Sequence, residues 1–328
     1  MRIILLSLLA VTIAQPASAC ELDRPIVFAG LDWPSNAWHT AIAQKILEAG
    51  YGCKTEVLPG TTIPLLQGVA QGNIDIVMEV WKDNVTEVWN RSMRRRQVVE
   101  VGTNFPDAVQ GWYVPRYLVE GPDALAPDLK AVSDLPANKM LFKDPEEPDK
   151  GRFYNCIAGW NCEVINTAKL KAYGLDPHFT NFRPGTGAAL ASAVASAFIR
   201  KQPILTYYWS PTWLLGKYDM VMLEEPPYLP EIFQALSVTA APTRATAYPV
   251  VQVVIGANRR FSELAPTIVA FLELYSTDAN LVSEALAYME ETGQTADASA
   301  RYFLETREEV WAPWVDESVA ERIKQFLR

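Results

Sequence analysis

The stretch that decides the fold is residues 25–35, Pro-Ile-Val-Phe-Ala-Gly-Leu-Asp-Trp-Pro-Ser. Its apolar run ends at Gly30, and Asp32 or Ser35 then offers a helix N-cap, so the stretch predicts a buried strand that leads into a helix. The same order returns in residues 74–95, where Ile-Asp-Ile-Val-Met precedes a second helical pattern. Alternating strands and helices are typical of an α/β fold whose parallel sheet has right-handed crossovers.

The chain of 328 residues is too long for one ordinary core, so we expect two lobes. Residues 110–114 read as a strand that leaves the first lobe, and the apolar run 250–255 reads as the return. Helical patterns then continue to the C-terminus. The sequence therefore predicts a hinged two-lobe clam-shell with two crossover strands and a C-terminal helical layer. The expected boundaries are residues 20–114 with 246–328 for the first lobe and 115–245 for the inserted second lobe.

Shorter apolar runs predict further strands inside the lobes. Residues 98–101 form one such run, separate from residues 110–114, and residues 139–142 form another.

The first 19 residues have the pattern of a secretory signal peptide. Arg2 gives the positive charge, residues 3–14 are apolar, and Ala17-Ser18-Ala19 is a small-residue cleavage site. The apolar run is too short to cross a bilayer. We therefore expect the mature chain to start at Cys20 and to be exported to the periplasm.

The chain has four cysteines, and an even number in an exported protein favours disulfides. Cys156 and Cys162 are the natural local pair, which leaves Cys20 to pair with Cys53. Lipidation of Cys20 is the alternative interpretation. The disulfide is favoured over it, because Ala17 is a poor replacement for the leucine usual three residues before a lipidated cysteine.

Composition and motifs argue against several functions. The formal net charge of −9 is unfavourable for binding nucleic acid, where affinity depends on neutralising phosphates. The chain has two histidines, and no catalytic, phosphate-loop or metal-binding motif occurs in it. We therefore expect neither an enzyme nor a cofactor or metal.

Tryptophans at strand ends are the strongest functional signal. Trp33, Trp81 and Trp209 each end or follow a predicted strand, and Trp160 lies in the loop closed by Cys156 and Cys162. In open α/β sheets ligands bind at the carboxyl ends of strands. A methylated ammonium group has no N–H to donate, and aromatic faces give it apolar contact and a negative quadrupole. The pattern predicts a tryptophan box between the lobes for such a ligand.

Several motifs together resemble those of one protein family, the substrate-binding proteins of glycine betaine/proline betaine ABC importers. These motifs are Gln71-Gly-Asn-Ile-Asp75 leading to Glu79-Val-Trp81, Cys156-Ile-Ala-Gly-Trp-Asn-Cys-Glu163, Pro184-Gly-Thr-Gly-Ala-Ala189 and Tyr207-Tyr-Trp-Ser-Pro-Thr-Trp213.

This resemblance implies a periplasmic-binding-protein fold of the type II-like kind. It implies that Trp81, Trp160 and Trp209 form ligand-binding walls and that the main-chain N–H groups of Asn161 and Cys162 hold a ligand carboxylate. It also implies an ABC permease in the inner membrane as partner. We expect the binding protein to act as a monomer.

The chain departs from the family pattern after Trp81. Some relatives have a histidine there that holds the carboxylate, whereas this chain has Lys-Asp-Asn at 82–84. Trp33 is expected as a fourth wall. Glu79 near the ammonium group would favour choline or trimethylamine N-oxide over a zwitterion, although it could instead be a surface or hinge residue bonded to backbone.

Two alternatives remain open at this stage. A binding protein of the same fold for an amino acid or sugar would place an arginine in the cleft, with Arg183 and Arg244 as candidates. An exported enzyme would need an acid–base pair, with Asp32, Glu79 and Asp83 as the candidates.

Overall fold

The computed structural model describes residues 20–238 and 242–328, so the predicted signal peptide at residues 1–19 lies outside the described residues. In the described part, nine strands form one mixed sheet with the order β2-β1-β3-β9-β4-β7-β5-β6, and β8 pairs with β4. The strands are β1 (Ile26–Leu31), β2 (Thr55–Gly60), β3 (Ile76–Val80), β4 (Val98–Pro115), β5 (Gly151–Tyr154), β6 (Phe179–Phe182), β7 (Leu205–Ser210), β8 (Met220–Met222) and β9 (Val251–Asn258).

Fifteen α-helices in the same described ranges cover the sheet and form the C-terminal layer. They are α1 (Pro34–Lys45), α2 (Thr62–Gln71), α3 (Thr86–Arg94), α4 (Arg116–Val119), α5 (Leu135–Asn138), α6 (Asn161–Ala172), α7 (Gly187–Ile199), α8 (Trp213–Lys217), α9 (Pro230–Leu236), α10 (Arg259–Leu264), α11 (Pro266–Leu274), α12 (Ala279–Thr292), α13 (Ala296–Thr306), α14 (Glu308–Trp311) and α15 (Glu317–Leu327).

The buried apolar side chains fall into sets that match two lobes. Those of β1, β3, β9, α1 and the C-terminal helices pack together, and a smaller cluster from α2 and α3 covers the other face of the same strands. A separate cluster contains only residues between 112 and 248. Trp33 and Trp81 contact both sets from partly buried positions. The predicted α/β fold with two lobes is therefore confirmed.

The prediction of separate strands at 98–101 and 110–114 is wrong, because both belong to the single long strand β4. Its first half pairs with β9, and its second half pairs with β7 and β8. Register shifts between Glu100 and Ala108 keep β4 paired with β9 along this stretch. Pro106 and its neighbours interrupt the apolar pattern, but bulges of this kind accommodate such residues and bend the strand. One strand therefore links the two lobes.

The prediction of a strand at 139–142 is also wrong. Lys139–Phe142 is a short 3-10 helix that continues from α5, and the strand of this region is β5. A run of four residues is too short for its periodicity to separate helix from strand. The run in β5 was less visible because it contains Gly151 and Arg152, although Phe153 is fully buried.

Both expected disulfides are present in the structure, Cys20–Cys53 and Cys156–Cys162. A cysteine sulfur that is bonded to another sulfur carries no lipid, so this pairing supports the disulfide interpretation of Cys20. Across residues 20–238 and 242–328, no helix is long and apolar enough to cross a membrane.

Candidate functional site

All seven residues predicted as ligand-binding line one cavity between the two lobes, which we call the inner cavity. It encloses about 50 Å³. A single buried water needs roughly 10–15 Å³ by this measure, so the space suits a compact ligand rather than a sugar or peptide. The lining residues are Trp33, Thr62, Leu66, Glu79, Val80, Trp81, Asn84, Val85, Gln110, Trp160, Asn161, Cys162, Tyr207 and Trp209.

Three of the indoles meet at right angles. The rings of Trp33 and Trp160 have centroids 5.6 Å apart at an interplanar angle of 86°, and those of Trp160 and Trp209 are 5.2 Å apart at 85°. Rings at this angle give the cavity adjacent walls that are perpendicular to each other. Edge-to-face contact is a preferred arrangement of aromatic pairs. Trp81 lines the same cavity and contacts Phe105 edge-on, with centroids 6.1 Å apart.

The local sequence explains how two of these indoles are placed. Trp33 and Trp160 are the N-cap residues of α1 and α6, and both have extended backbone. Pro34 disfavours a helical conformation at Trp33, so the helix begins after the indole. Gly159 has a φ of +97°, and a Cβ atom there would lie 2.9 Å from Thr61. Glycine therefore lets the disulfide loop that carries Trp160 approach the first lobe closely.

Glu79 forms hydrogen bonds with two of the indoles. Its Oε2 accepts hydrogen bonds from Trp33 Nε1 at 2.8 Å and from Trp81 Nε1 at 3.1 Å. The side chain is fully buried, and Oε1 receives no hydrogen bond of ordinary geometry from the described residues. The interpretation of Glu79 as a surface residue is therefore wrong, because it is buried near the end of β3 and lines the cavity.

Burial raises the pKa of Glu79 to about 7, although contacts with Trp33, Ser35 and Trp81 oppose the rise. Desolvation disfavours the charged form of an acid, and the nearby N–H and O–H dipoles favour it. The carboxyl group thus changes charge near neutral pH. This property distinguishes it from the ordinary surface carboxylates of the chain.

The polar end of the cavity contains residues that the sequence interpretation missed. Gln110 Oε1 accepts hydrogen bonds from Asn84 Nδ2 at 2.7 Å and from the Tyr207 hydroxyl at 2.8 Å. Gln110 Nε2 donates back to Asn84 Oδ1 at 3.2 Å. Because Gln110 is on β4, this network joins the connecting strand to both lobes. Tyr207 is the first residue of the Tyr207–Trp213 motif, but no role was predicted for it, and no local signal marked Gln110.

The N-terminus of α6 faces the same cavity through Asn161 and Cys162. The first N–H groups of a helix have no partner in the preceding turn, and the helix dipole favours a negative or polar oxygen there. The Asn161 amide also donates to the main-chain oxygen of Asn84. This contact crosses from the second lobe to the first.

No basic side chain is among the residues that line the inner cavity. Arg183 is exposed and pairs with Glu163 at 2.5 Å, and Arg244 is also exposed and absent from the lining. An amino-acid ligand therefore finds no arginine partner in this cavity. Of the three candidate acids for catalysis, Glu79 alone lines it.

Two lobes around a buried aromatic cavity define a substrate-binding protein. The family model described as the substrate binding domain of the ABC-type glycine betaine transport system matches residues 24–306, and the chain belongs to this family. Membership makes the chain a transport binding component rather than an enzyme. This confirms the resemblance read from the motifs.

Individual relatives agree with this assignment. The glycine betaine/proline betaine-binding periplasmic protein of Salmonella typhimurium is 23% identical over 267 residues, which is 77% of each chain. The fold is similar to that of a glycine betaine, L-proline ABC transporter binding protein from Borrelia burgdorferi, with a TM-score of 0.74, 17% identity and coverage of 92% of this chain and 100% of the other. An ABC-transporter choline binding protein in complex with choline gives a TM-score of 0.72 at 15% identity, covering 93% and 98%.

Proposed function

We propose that the inner cavity binds one small methylated ammonium compound, with Trp33, Trp81, Trp160 and Trp209 as its walls. The observation that carries the proposal is that four indoles and one buried carboxyl group share a compact cavity lined by no basic side chain. A quaternary nitrogen is attracted to aromatic faces, and each desolvated ring contributes about 1–2 kcal/mol. Three or four such contacts support roughly micromolar affinity after the cost of association.

Glu79 favours ligands that carry no carboxylate of their own. The ionised form attracts a full cation such as choline, whereas a second carboxylate in the same buried space is repelled. The protonated form donates a hydrogen bond, which suits the oxygen of trimethylamine N-oxide. Glycine betaine remains the second candidate, because the N-terminus of α6 at Asn161 and Cys162 provides main-chain N–H groups for its carboxylate.

We also propose the biological setting that the family implies. The mature chain would be exported to the periplasm after removal of residues 1–19 and would deliver its ligand as a monomer to a permease in the inner membrane. Residues 20–114 with 246–328 are assigned to the first lobe and residues 115–245 to the second. The separation of the hydrophobic clusters supports this division. Ligand that bridges the lobes would favour the closed form that the permease recognises.

Calorimetric titration with choline, trimethylamine N-oxide, glycine betaine and proline betaine tests the ligand class. Titrations at pH about 6 and about 8 bracket the pKa of Glu79. Choline should bind more tightly at the higher pH, where the carboxylate is formed, and the N-oxide more tightly at the lower pH. In Glu79→Gln both pH dependences should disappear. Absence of heat and of any tryptophan fluorescence change with all four compounds would overturn the proposal.

A further inference from the structure

A larger cavity lies on the other side of the tryptophan walls, and we call it the outer cavity. It encloses about 480 Å³ and is formed by both lobes. Trp33, Trp160 and Trp209 line both the inner and the outer cavity. The three indoles are therefore a partition between two spaces, and a ligand on either side can contact them.

The lining of the outer cavity has the chemistry of a cation site. Tyr208 and Trp213 add aromatic surface, and the Tyr208 ring stacks on Trp209 with centroids 4.7 Å apart at 19°. Asp32 on one side and Glu290 of α12 on another supply the charges, and no basic residue is among the lining residues. Burial, and after it the Glu290 carboxylate, raise the pKa of Tyr208, which indicates that this negative charge acts at the aromatic wall.

Residues that line the outer cavity also form contacts with each other and with a nearby lysine. Asp32 Oδ1 accepts a hydrogen bond from Trp160 Nε1 at 2.5 Å. The Lys217 ammonium group lies 5.8 Å from the centroid of the Trp213 ring without lining the cavity itself. A Trp ring attracts a cation in this way. The residues Ala188, Ala191 and Ala195 of α7 contribute small side chains and leave the space open.

We propose that the outer cavity is a second, weaker binding site for a methylated ammonium cation, separated from the inner site by the three shared indoles. The proposal rests on the ligand class proposed for the inner cavity. The outer site has the aromatic faces and two carboxylates, but its volume of about 480 Å³, against about 50 Å³ for the inner cavity, leaves a small cation with fewer simultaneous ring contacts and more water around it. We therefore expect it to bind about 10–100-fold more weakly, as partly solvated cation–π contacts do. A cation held there lies next to the inner cavity.

The experiment uses the whole mature protein labelled with 5-fluorotryptophan and follows the fluorine resonances during titration with choline. Trp81 lines only the inner cavity and Trp213 only the outer one, so their resonances report the two sites separately. Single Trp81→Phe and Trp213→Phe variants assign the two resonances. The expected result is a Trp81 shift that saturates first and a Trp213 shift that follows at higher choline concentration.

Three variants and one neutral ligand make the test specific. Ala191→Leu fills the outer cavity and Glu290→Gln removes a charge, so each should remove or weaken the second phase about tenfold while Trp81 still saturates. Glu291→Gln, the same change on the neighbouring exposed residue, should leave both phases intact. The uncharged isostere 3,3-dimethylbutan-1-ol should give no second phase, because it has no positive charge.

Specific outcomes would contradict this inference. A Trp213 shift that follows the Trp81 shift in one phase, or an equal second phase with the neutral isostere, overturns the outer cation site. If Trp81 does not respond to choline but Trp213 does, the inner-site proposal fails for choline while the outer site stands. The two proposals are thus tested independently in one titration.

Discussion

The indole N–H of Trp160 donates to the carboxylate of Asp32 at 2.5 Å, across the space between the lobes and 128 residues apart in the chain. Asp32 follows β1 in the first lobe, and Trp160 begins α6 in the second. Asp32 does not line the inner cavity. It therefore orients the Trp160 ring, which lines the inner cavity, without lining that cavity itself, and the contact can form only when the lobes are close.

Replacement of Asp32 should weaken ligand binding through the position of Trp160. Hydrogen bonds to charged groups contribute about 1.5–3 kcal/mol, and the exposure of Asp32 argues for the lower end of this range. Asp32→Ala is therefore expected to weaken ligand affinity about tenfold. Asp32→Asn keeps an acceptor oxygen and should recover most of the loss. Calorimetry measures both variants. Equal losses in Asp32→Ala and Asp32→Asn would show that charge, and not the hydrogen bond, is what matters.

The buried carboxyl group of Glu79 should make the stability of the free protein depend on pH. The pKa of Glu79 is about 7 in the folded protein, above its ordinary value of 4.5, so the folded state holds a proton that the unfolded state has released. This contribution to stability is present below pH 4.5 and is lost as the pH rises through about 7. Thermal unfolding at pH about 5 and about 8 checks the sign.

Glu79→Gln provides the matched comparison, because it keeps the shape and one acceptor oxygen for Trp33 and Trp81. The wild type should lose more stability than Glu79→Gln between the two pH values. The variant should also be the more stable of the two at the higher pH. A wild type that gains stability relative to the variant on raising the pH would contradict the assigned direction of the pKa shift.

Trp81 should contribute to choline binding through cation–π attraction by its ring and not only through apolar contact. Trp81→Leu is expected to cost about 1–2 kcal/mol of choline binding, and Trp81→Phe less, because phenylalanine keeps a weaker quadrupole. Binding of the neutral isostere 3,3-dimethylbutan-1-ol serves as the reference. The ratio of choline to isostere affinity should fall in Trp81→Leu. If both ligands weaken equally, Trp81 supplies only apolar contact.

The sequence could predict that these indoles lie close together because strand ends are local features, and they do line one cavity. Trp33 and Trp81 each follow a recognisable strand and Trp160 lies inside the disulfide loop, and the sheet brings strand ends together. Gln110 could not be found in this way, since its partners Asn84 and Tyr207 come from other strands and loops. The continuity of β4 was missed for a related reason, because pairing with β9 and β7 decides it and local propensity does not.

The two disulfides should have different effects when they are removed. Cys156–Cys162 closes the loop that presents Trp160, whereas Cys20–Cys53 ties the N-terminal segment to the first lobe away from the cavity. Removal of either disulfide, in a double-serine variant, should cost roughly 2–4 kcal/mol of stability, since a crosslink restricts the unfolded chain.

Cys156→Ser/Cys162→Ser should in addition weaken choline binding by about tenfold. Cys20→Ser/Cys53→Ser should leave affinity unchanged at a temperature where it is folded. Calorimetry and thermal unfolding on both double variants separate these effects, and equal affinities for the two would show that Trp160 is held in place without its disulfide.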